Sequence, residues 1–265
     1  MRSVQSVIDT NTIGIIGTGA IAKDIVDGLG DTAEAVFLSP RNARTANALA
    51  DRHAHVRVCA DNQSVVDAAP LLLLSVRPDQ VPEALAGLRV PDDRVLVSAV
   101  AGWSAEALRA RLGTDATIVR SIPLPAVRRR QGVTALYPAH PVAEELFGRL
   151  GGTVVAETAA VFDALSAATA SISSYLSYVD TVAGWIAGQG MAPEAAETYV
   201  RSMFTGVSAA LAEQGTPLPE LAKAHETPRG NNEALRTRWF TAQNRAALED
   251  ALEHIRERVA TAGPG

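Results

Sequence analysis

Over residues 12–122, short apolar runs alternate with amphipathic stretches. The runs are TIGIIG (12–17), AVFLS (35–39), VRVCA (56–60), LLLLSV (71–76), RVLVSAV (94–100) and TIVRSI (117–122). Between them apolar residues recur at helical spacing, as with Ile21, Ile25 and Leu29, four apart, with Ala22 and Val26 beside them. Strand alternating with helix at this pitch predicts a parallel sheet with helices on both faces. An unbroken LLLL reads as a strand buried on both faces. The alternation stops near residue 158. From Ala159 the pattern is helical: Ile172, Leu176, Val179, Ala183 and Ile186 follow at intervals of 4, 3, 4 and 3, and Tyr175, Tyr178, Val182 and Trp185 form a second apolar stripe. One helix of more than about 25 residues is predicted here. Apolar on so much of its circumference, it belongs at the centre of its domain or against another subunit. Gly190-Met191 followed by Pro193 predicts a stop and a fresh helix to about Glu213.

Composition changes this picture little. Apolar residues make up 47% and charged residues 20% of 265 positions, enough to bury two ordinary cores. A net charge of -5 with acids and bases interspersed leaves no footprint for nucleic acid. Arg128, Arg129 and Arg130 form the compact basic run, read as a solvated loop or a ligand clamp. Cys59 is the single cysteine, so an intramolecular disulfide or a cysteine metal cage is excluded. His53, His55, His140 and His254 show no ligand spacing with carboxylates, and no metal is expected. The opening MRSVQSVIDT lacks the apolar core of a signal peptide, and the charge-free ALSAATASISSYLSYV is too short and Ser-rich to span a bilayer. No membrane partner and a cytoplasmic location are expected.

The sharpest chemistry is in GIIGTGAIAKDIVDGL, where Gly17, Gly19 and Ala22 form G-x-G-x-x-A after a strand and at the start of a helix. Gly17 permits a tight turn, Gly19 lets backbone approach a pyrophosphate, and the small Ala22 lets helix and strand pack closely. The amides of Gly17, Thr18, Gly19, Ala20 and Ile21 then face phosphate oxygens, helped by the helix dipole. The fold class follows: α/β, an N-terminal Rossmann-type doubly wound sheet over 12–158 and an all-helical domain over 159–265. An enzyme that binds NAD usually ends its second strand in a carboxylate for the ribose 2′-hydroxyl. Here that tip reads FLSPRNAR, offering Ser39, Arg41, Asn42 and Arg44. Hydroxyl, amide and guanidinium suit a 2′-phosphate, so NADP (NADPH) is expected ahead of NAD.

Several stretches, in order and spacing, resemble pyrroline-5-carboxylate reductases: IGIIGTGAIA, SPRNARTANALA, DNQSVVDAAPLLLLSVRPDQV, VLVSAVAGWSAEAL and IVRSIPLPAV with GVTALYP in the first half, then MAPEAAETYVRSMFTGVSAAL and ETPRGNNEAL. The resemblance covers nearly the whole chain. It implies NADPH-dependent reduction of a cyclic imino acid to proline or a close analogue. It also implies a helical dimerisation and substrate domain, a homodimer or higher homo-oligomer, and sites built by two chains. By motif match, Asn62 contacts the adenosine side, Ser75, Val76, Arg77 and Pro78 follow the nucleotide, and Ala99, Val100 and Ala101 line the nicotinamide.

The same match places HETPRGNN (225–232) on the family's Ser-Pro-Gly-Gly-Thr-Thr turn. Successive backbone amides of such a turn can grip a carboxylate. Arg229, Gly230, Asn231 and Asn232 are thus substrate-binding candidates, with Gly230 supplying backbone freedom and Arg229 replacing the first glycine. Glu213 matches an acidic position near the family's substrate pocket. Asn232 stands where the family has a threonine hydroxyl, and Thr169 and Ser171 fill hydroxyl positions of its Ser-Gly-Ser-Gly-Pro-Ala-Tyr segment. Asn232 and Thr169 are therefore the catalytic candidates, although an amide does not readily give up a proton. His225, beside the turn, reads as a general acid or an ordinary surface histidine. These departures from the family pattern leave open another imine or keto acid as substrate, or a protein that binds NADP without turnover.

Overall fold

The computed structural model of the chain describes residues 8–212 and 215–261. The opening MRSVQSV and Glu213 lie outside the described residues. The N-terminal unit alternates strand and helix in the expected order: β1 (Thr12–Ile16), α1 (Ala20–Leu29), β2 (Ala35–Leu38), α2 (Ala43–Arg52), β3 (Val56–Val58), α3 (Asn62–Ala68), β4 (Leu71–Leu74), α4 (Val81–Ala84), β5 (Val95–Ser98), α5 (Ala105–Leu112) and β6 (Thr117–Ile122). Two further strands, β7 (Gly132–Tyr137) and β8 (Gly151–Val155), flank α6 (Pro141–Gly148). The sheet order is β3-β2-β1-β4-β5-β6-β7-β8. Neighbours are parallel except β6 and β7, which run antiparallel. The expected doubly wound parallel sheet is present, and among the described residues two strands beyond the six apolar runs extend it, with β7 antiparallel to β6.

The burial of β4 explains its composition. Leu71 and Leu73 pack with Ile13, Ile15, Val95 and Val97 on one face, while Leu72 and Leu74 pack with Ile16, Leu96 and Ile118 on the other. Because strand side chains alternate between faces, a central strand covered by helices on both sides has no position left for a polar residue. The order reverses at β1 and β4, whose carboxyl ends therefore open a crevice.

The arginine run is solvent-exposed, as the solvated-loop reading expects, and it also has a structural role. It closes a turn of 3-10 helix against α1, where Arg130 donates to the carbonyls of Gly28 and Leu29 at 2.7 and 2.9 Å. Those carbonyls end α1 and lack partners within it, so the guanidinium serves as a distant C-cap. Arg128 lies 3.5 Å from Asp27, a carboxylate also held by Lys23, Arg52 and His53.

The long helix expected after Ala159 is two helices, α7 (Ala159–Ala168) and α8 (Ser171–Ala187). They are broken where Ala170 N–H donates to Ala167 O and the Ser171 hydroxyl takes Ala168 O at 2.7 Å. A hydroxyl that competes for a backbone carbonyl is one way a helix ends without glycine or proline. The described chain divides into compact units of 8–166 with 257–261, and 167–256, so the boundary falls inside α7 rather than at 158/159. Phe162 of α7 is buried with Ala135 and Ala156, and Asp163 pairs with Arg120 of β6 at 2.8 Å, which holds the first half of α7 in the N-terminal unit.

The second unit contains α8, α9 (Pro193–Ala212), α10 (Leu218–Ala224), α11 (Asn231–Trp239) and most of α12 (Ala242–Thr261). Phe204 of α9 makes edge contacts with Tyr175 and Tyr178 of α8, at centroid distances of 6.0 and 5.9 Å. Only Ala183, Ala196 and Val200 are buried along this pair. Ile172, Leu176, Trp185, Tyr199 and Leu211 stay exposed, Trp185 by 67%.

Candidate functional site

At the carboxyl edge of β1 the chain turns through Gly17 at φ 98, a backbone conformation that favours glycine. A Cβ there would stand 2.6 Å from Val76 Cγ1 and 2.7 Å from Ser75 O, so the turn is also closed by β4's loop. Gly19 is the N-cap of α1 and has no side chain to satisfy the helix's first amides. Ser39, at the tip of β2 and 1% exposed, accepts from Gly17 N–H at 2.9 Å. Asn42 caps α2 by accepting from Thr45 N–H and donates across to Thr18 O at 3.0 Å. Two of the residues expected at the 2′-phosphate thus also hold the glycine loop in shape. The Thr18 hydroxyl is buried without a partner among the described residues.

A cleft of about 460 Å³ opens beside this loop. Its lining brings together Gly17, Ser39, Arg41, Asn62 and Val76, five of the expected cofactor residues. Arg41 reaches Glu83 across it at 3.0 Å. Asn62, the first residue of α3, donates to Ala84 O at 3.0 Å and so fastens α4 beside the cleft. Asp61 caps α3, and hydrogen bonds from Ser64 hold its carboxyl below the usual carboxylate range. Burial, with Asp61 nearby, pushes the Cys59 thiol up, so it is not a thiolate at neutral pH.

Along the same edge Ser75 N–H donates to Ile16 O, and Ala99 N–H to Leu74 O, both at 2.8 Å, continuing the ladders past the strands. The Trp103 indole holds Pro78 O at 3.3 Å, and Val100 N–H donates to Ser98 Oγ at 3.3 Å. Arg77 is exposed, 3.7 Å from Asp79. Ala20 and Ile21 form the first turn of α1, and Ala101 follows β5 on the exposed side. These residues share the edge without lining the cleft. Glu83 lines it and was not anticipated: it sits on a four-residue helix with no motif around it.

In the second unit, residues 225–230 form a tight connection between α10 and α11, and Asn231 and Asn232 open α11. The left-handed residue is Arg229, at φ 63, whereas Gly230 has an ordinary φ of -80. The assignment of backbone freedom to Gly230 is therefore corrected. Gly230 is needed for space, since a Cβ there would meet Thr227 Oγ1 at 2.2 Å. Arg229 holds a conformation that costs a non-glycine residue about 1–2 kcal/mol.

The turn's amides are partly used. Gly230 N–H donates to Thr227 O at 2.8 Å, and Arg229 N–H donates to Glu233 Oε2 at 2.5 Å. Asn232 Nδ2 donates to His225 O at 2.6 Å and closes the turn. The His225 ring Nδ1 lies 2.9 Å from Leu221 O. Glu226 pairs with Arg236 at 3.1 Å, and that hydrogen bond keeps its carboxyl low. Asn231 begins α11 and is exposed. Thr169 lies in the break between α7 and α8, its carbonyl accepting from Ile172 N–H. No group of three His, Cys, Asp or Glu residues that could hold a metal is found among the described residues.

Residues 12–102 match the family model described as NADP oxidoreductase, coenzyme F420-dependent. Over 268 residues the chain is 27% identical to pyrroline-5-carboxylate reductase of Pseudomonas aeruginosa, covering 96% of this chain and 97% of that one. A match to pyrroline-5-carboxylate reductase 1 of Dictyostelium discoideum, 29% identical, spans 48% of this chain and 24% of that protein's length. Among solved structures, the fold is similar to a pyrroline-5-carboxylate reductase from Coxiella burnetii, with TM-score 0.81, 19% identity, and 97% and 100% of the two chains covered. It is also similar to the Plasmodium falciparum pyrroline carboxylate reductase with NADP bound, with TM-score 0.78, 14% identity, and 96% and 98% covered.

Proposed function

We propose that the chain is a member of the pyrroline-5-carboxylate reductase family, a reading supported by its likeness to such reductases over nearly its full length, and that it reduces the C=N bond of a cyclic imino acid with NADPH. Pyrroline-5-carboxylate, giving proline, is the first substrate to test. The carrying observation is the glycine loop at the β1 edge, shaped by Ser39 and Asn42 and opening on a cleft that Arg41 and Asn62 line. The crevice fits a dinucleotide: with the Gly17 amide held by Ser39, the amides of Thr18 and Gly19 and the start of α1 would hold the pyrophosphate. Ser39 and Arg41 would take the 2′-phosphate, Asn62 the adenosine side, and Ser75 to Pro78 the path to Ala99, Val100 and Ala101. The reduced nicotinamide supplies the hydride when bound.

The remaining work falls to side chains of the second unit. Thr169 carries the hydroxyl assigned to proton delivery, and Asn232 is assigned an orienting role, its amide being a poor proton source. The exposed apolar stripe on α8 and α9 would be covered by a second copy of the chain, so a homodimer is the proposed assembly. The proposed location is the cytoplasm; no described helix is long and apolar enough to cross a membrane.

The test is nicotinamide absorbance with purified protein, NADPH and pyrroline-5-carboxylate. Protein that binds NADPH and oxidises none of it rules out the proline assignment. A second reading, the same cofactor with a different imine or keto acid, is favoured by Glu233: its carboxylate already occupies the Arg229 amide in the turn matched to the family's carboxylate grip. A panel of imines with and without a carboxylate separates the two.

A further inference from the structure

The adenosine end of the cleft carries a charge arrangement that the proposed activity does not require. Among the described residues lining it, Arg41 is the one cation, and Asp61 and Glu83 are carboxylates. Asp61 is committed to its helix: Oδ1 accepts from both the N–H and the hydroxyl of Ser64 at 2.7 Å. Glu83 is committed to Arg41, whose Nη2 lies 3.0 Å from Oε2. Asn62 holds the carbonyl of Ala84, the next residue, so the backbone that carries Glu83 is anchored beside the cleft.

A 2′-phosphate approaching Arg41 therefore meets a guanidinium that is already paired and a carboxylate beside it. A ribose 2′-hydroxyl meets no such conflict. On the NADP reading above, we propose that Glu83 is a selectivity-determining residue: it competes with the 2′-phosphate for Arg41, so binding NADPH breaks the Arg41–Glu83 pair and binding NADH does not. Both side chains are more than half exposed, at 51% and 71%, and solvent screens such a pair. The effect is accordingly a change of several-fold in cofactor ratio, not an absolute gate.

The experiment is titration of NADPH and NADH into the full chain by calorimetry, for the wild type, Glu83→Gln, Arg41→Ala and the double variant, at one low ionic strength. Glu83→Gln should tighten NADPH about three- to tenfold and leave NADH within about twofold. With Arg41 replaced, the same Glu83 substitution should no longer affect NADPH. Equal changes for both cofactors, no change for either, a weakening of NADH without a gain in NADPH, or a gain that persists without Arg41 would each overturn the proposal. If no variant binds either cofactor, the dinucleotide reading itself fails and takes this inference with it.

Discussion

Gly17 N–H and Ser39 Oγ meet at 2.9 Å, tying the turn after β1 to the tip of β2. The hydroxyl stands where many dinucleotide folds place a carboxylate. Replacing Ser39 by Ala leaves a buried amide without a partner, at a cost of about 1–3 kcal/mol. The expected outcome for Ser39→Ala is a lowered denaturation midpoint together with weaker NADPH binding, read by urea unfolding and by cofactor fluorescence. Unchanged values for both would show that the contact carries neither role.

Gly17 and Gly19 should respond differently to a single methyl group. At Gly17 the backbone has φ 98 and Val76 and Ser75 fill the space, so Gly17→Ala strains the loop and lowers stability by about 2 kcal/mol or more. At Gly19 the nearest atom to a Cβ is Ser75 O at 3.9 Å, and φ is an ordinary -82. Gly19→Ala should therefore keep the melting temperature and lose at least about tenfold in NADPH affinity, because the methyl stands where backbone must approach the pyrophosphate. Equal melting temperatures for the two variants would contradict this assignment.

Legibility in the sequence followed burial. The central strands β1, β4 and β5 announce themselves because both faces are covered and their residues are almost all apolar. β8, GGTVV, is only half-buried and begins with two glycines, and β7 follows the arginine turn, so neither carried a strand signal. The break at Thr169 and Ala170 uses residues that a helix tolerates, and it depends on a hydroxyl-to-carbonyl bond that no spacing reveals. Arg130 caps α1 from 101 and 102 residues away, a contact that exists only once the sheet is assembled. At the turn, the residue pattern located the departure from the family but not which residue would be left-handed. Only the folded turn shows it, with Arg229 at φ 63 and Gly230 at φ -80.

Asp27 predicts a pH dependence. Burial pushes its carboxyl up, but hydrogen bonds from His53 and Lys23 and the charge of Arg52 outweigh this and leave it below the usual 3.8. A carboxyl lowered in the folded state contributes stability that is fully present above its unfolded value and is lost as pH falls through the folded one. The stability gap between wild type and Asp27→Asn should stay constant above about pH 5 and shrink steadily below about pH 4. Parallel curves of unfolding free energy down to the lowest measurable pH would contradict it.

Arg120 and Asp163 form a largely buried pair at 2.8 Å, with side chains 9% and 13% exposed, and the guanidinium lies 4.3 Å over the Phe162 ring. Removing one partner strands the other charge, so Asp163→Ala should lower stability by about 3–5 kcal/mol. Replacing both, as Arg120→Met with Asp163→Leu, should recover a large part of that loss. A double variant no better than Asp163→Ala, in chemical denaturation, would show that the pair is not the origin of the effect.

The turn at 225–232 supplies the last prediction, because strain and charge there can be varied separately. Arg229→Gly removes a left-handed non-glycine residue and should raise stability by about 1 kcal/mol, while keeping Arg229 N–H on Glu233. Glu233→Gln keeps the side chain's length and an acceptor oxygen but removes the negative charge beside that amide. If the turn grips the substrate, a carboxylate-bearing imine should gain more from Glu233→Gln than its carboxylate-free counterpart, by about fivefold in kcat/KM, since a repelling charge has gone. Arg229→Gly should change the two imines alike unless its guanidinium holds the carboxylate, in which case it lowers kcat/KM for that imine alone. Variants that shift stability as stated while leaving the ratio of the two imines untouched would place substrate recognition elsewhere in the molecule.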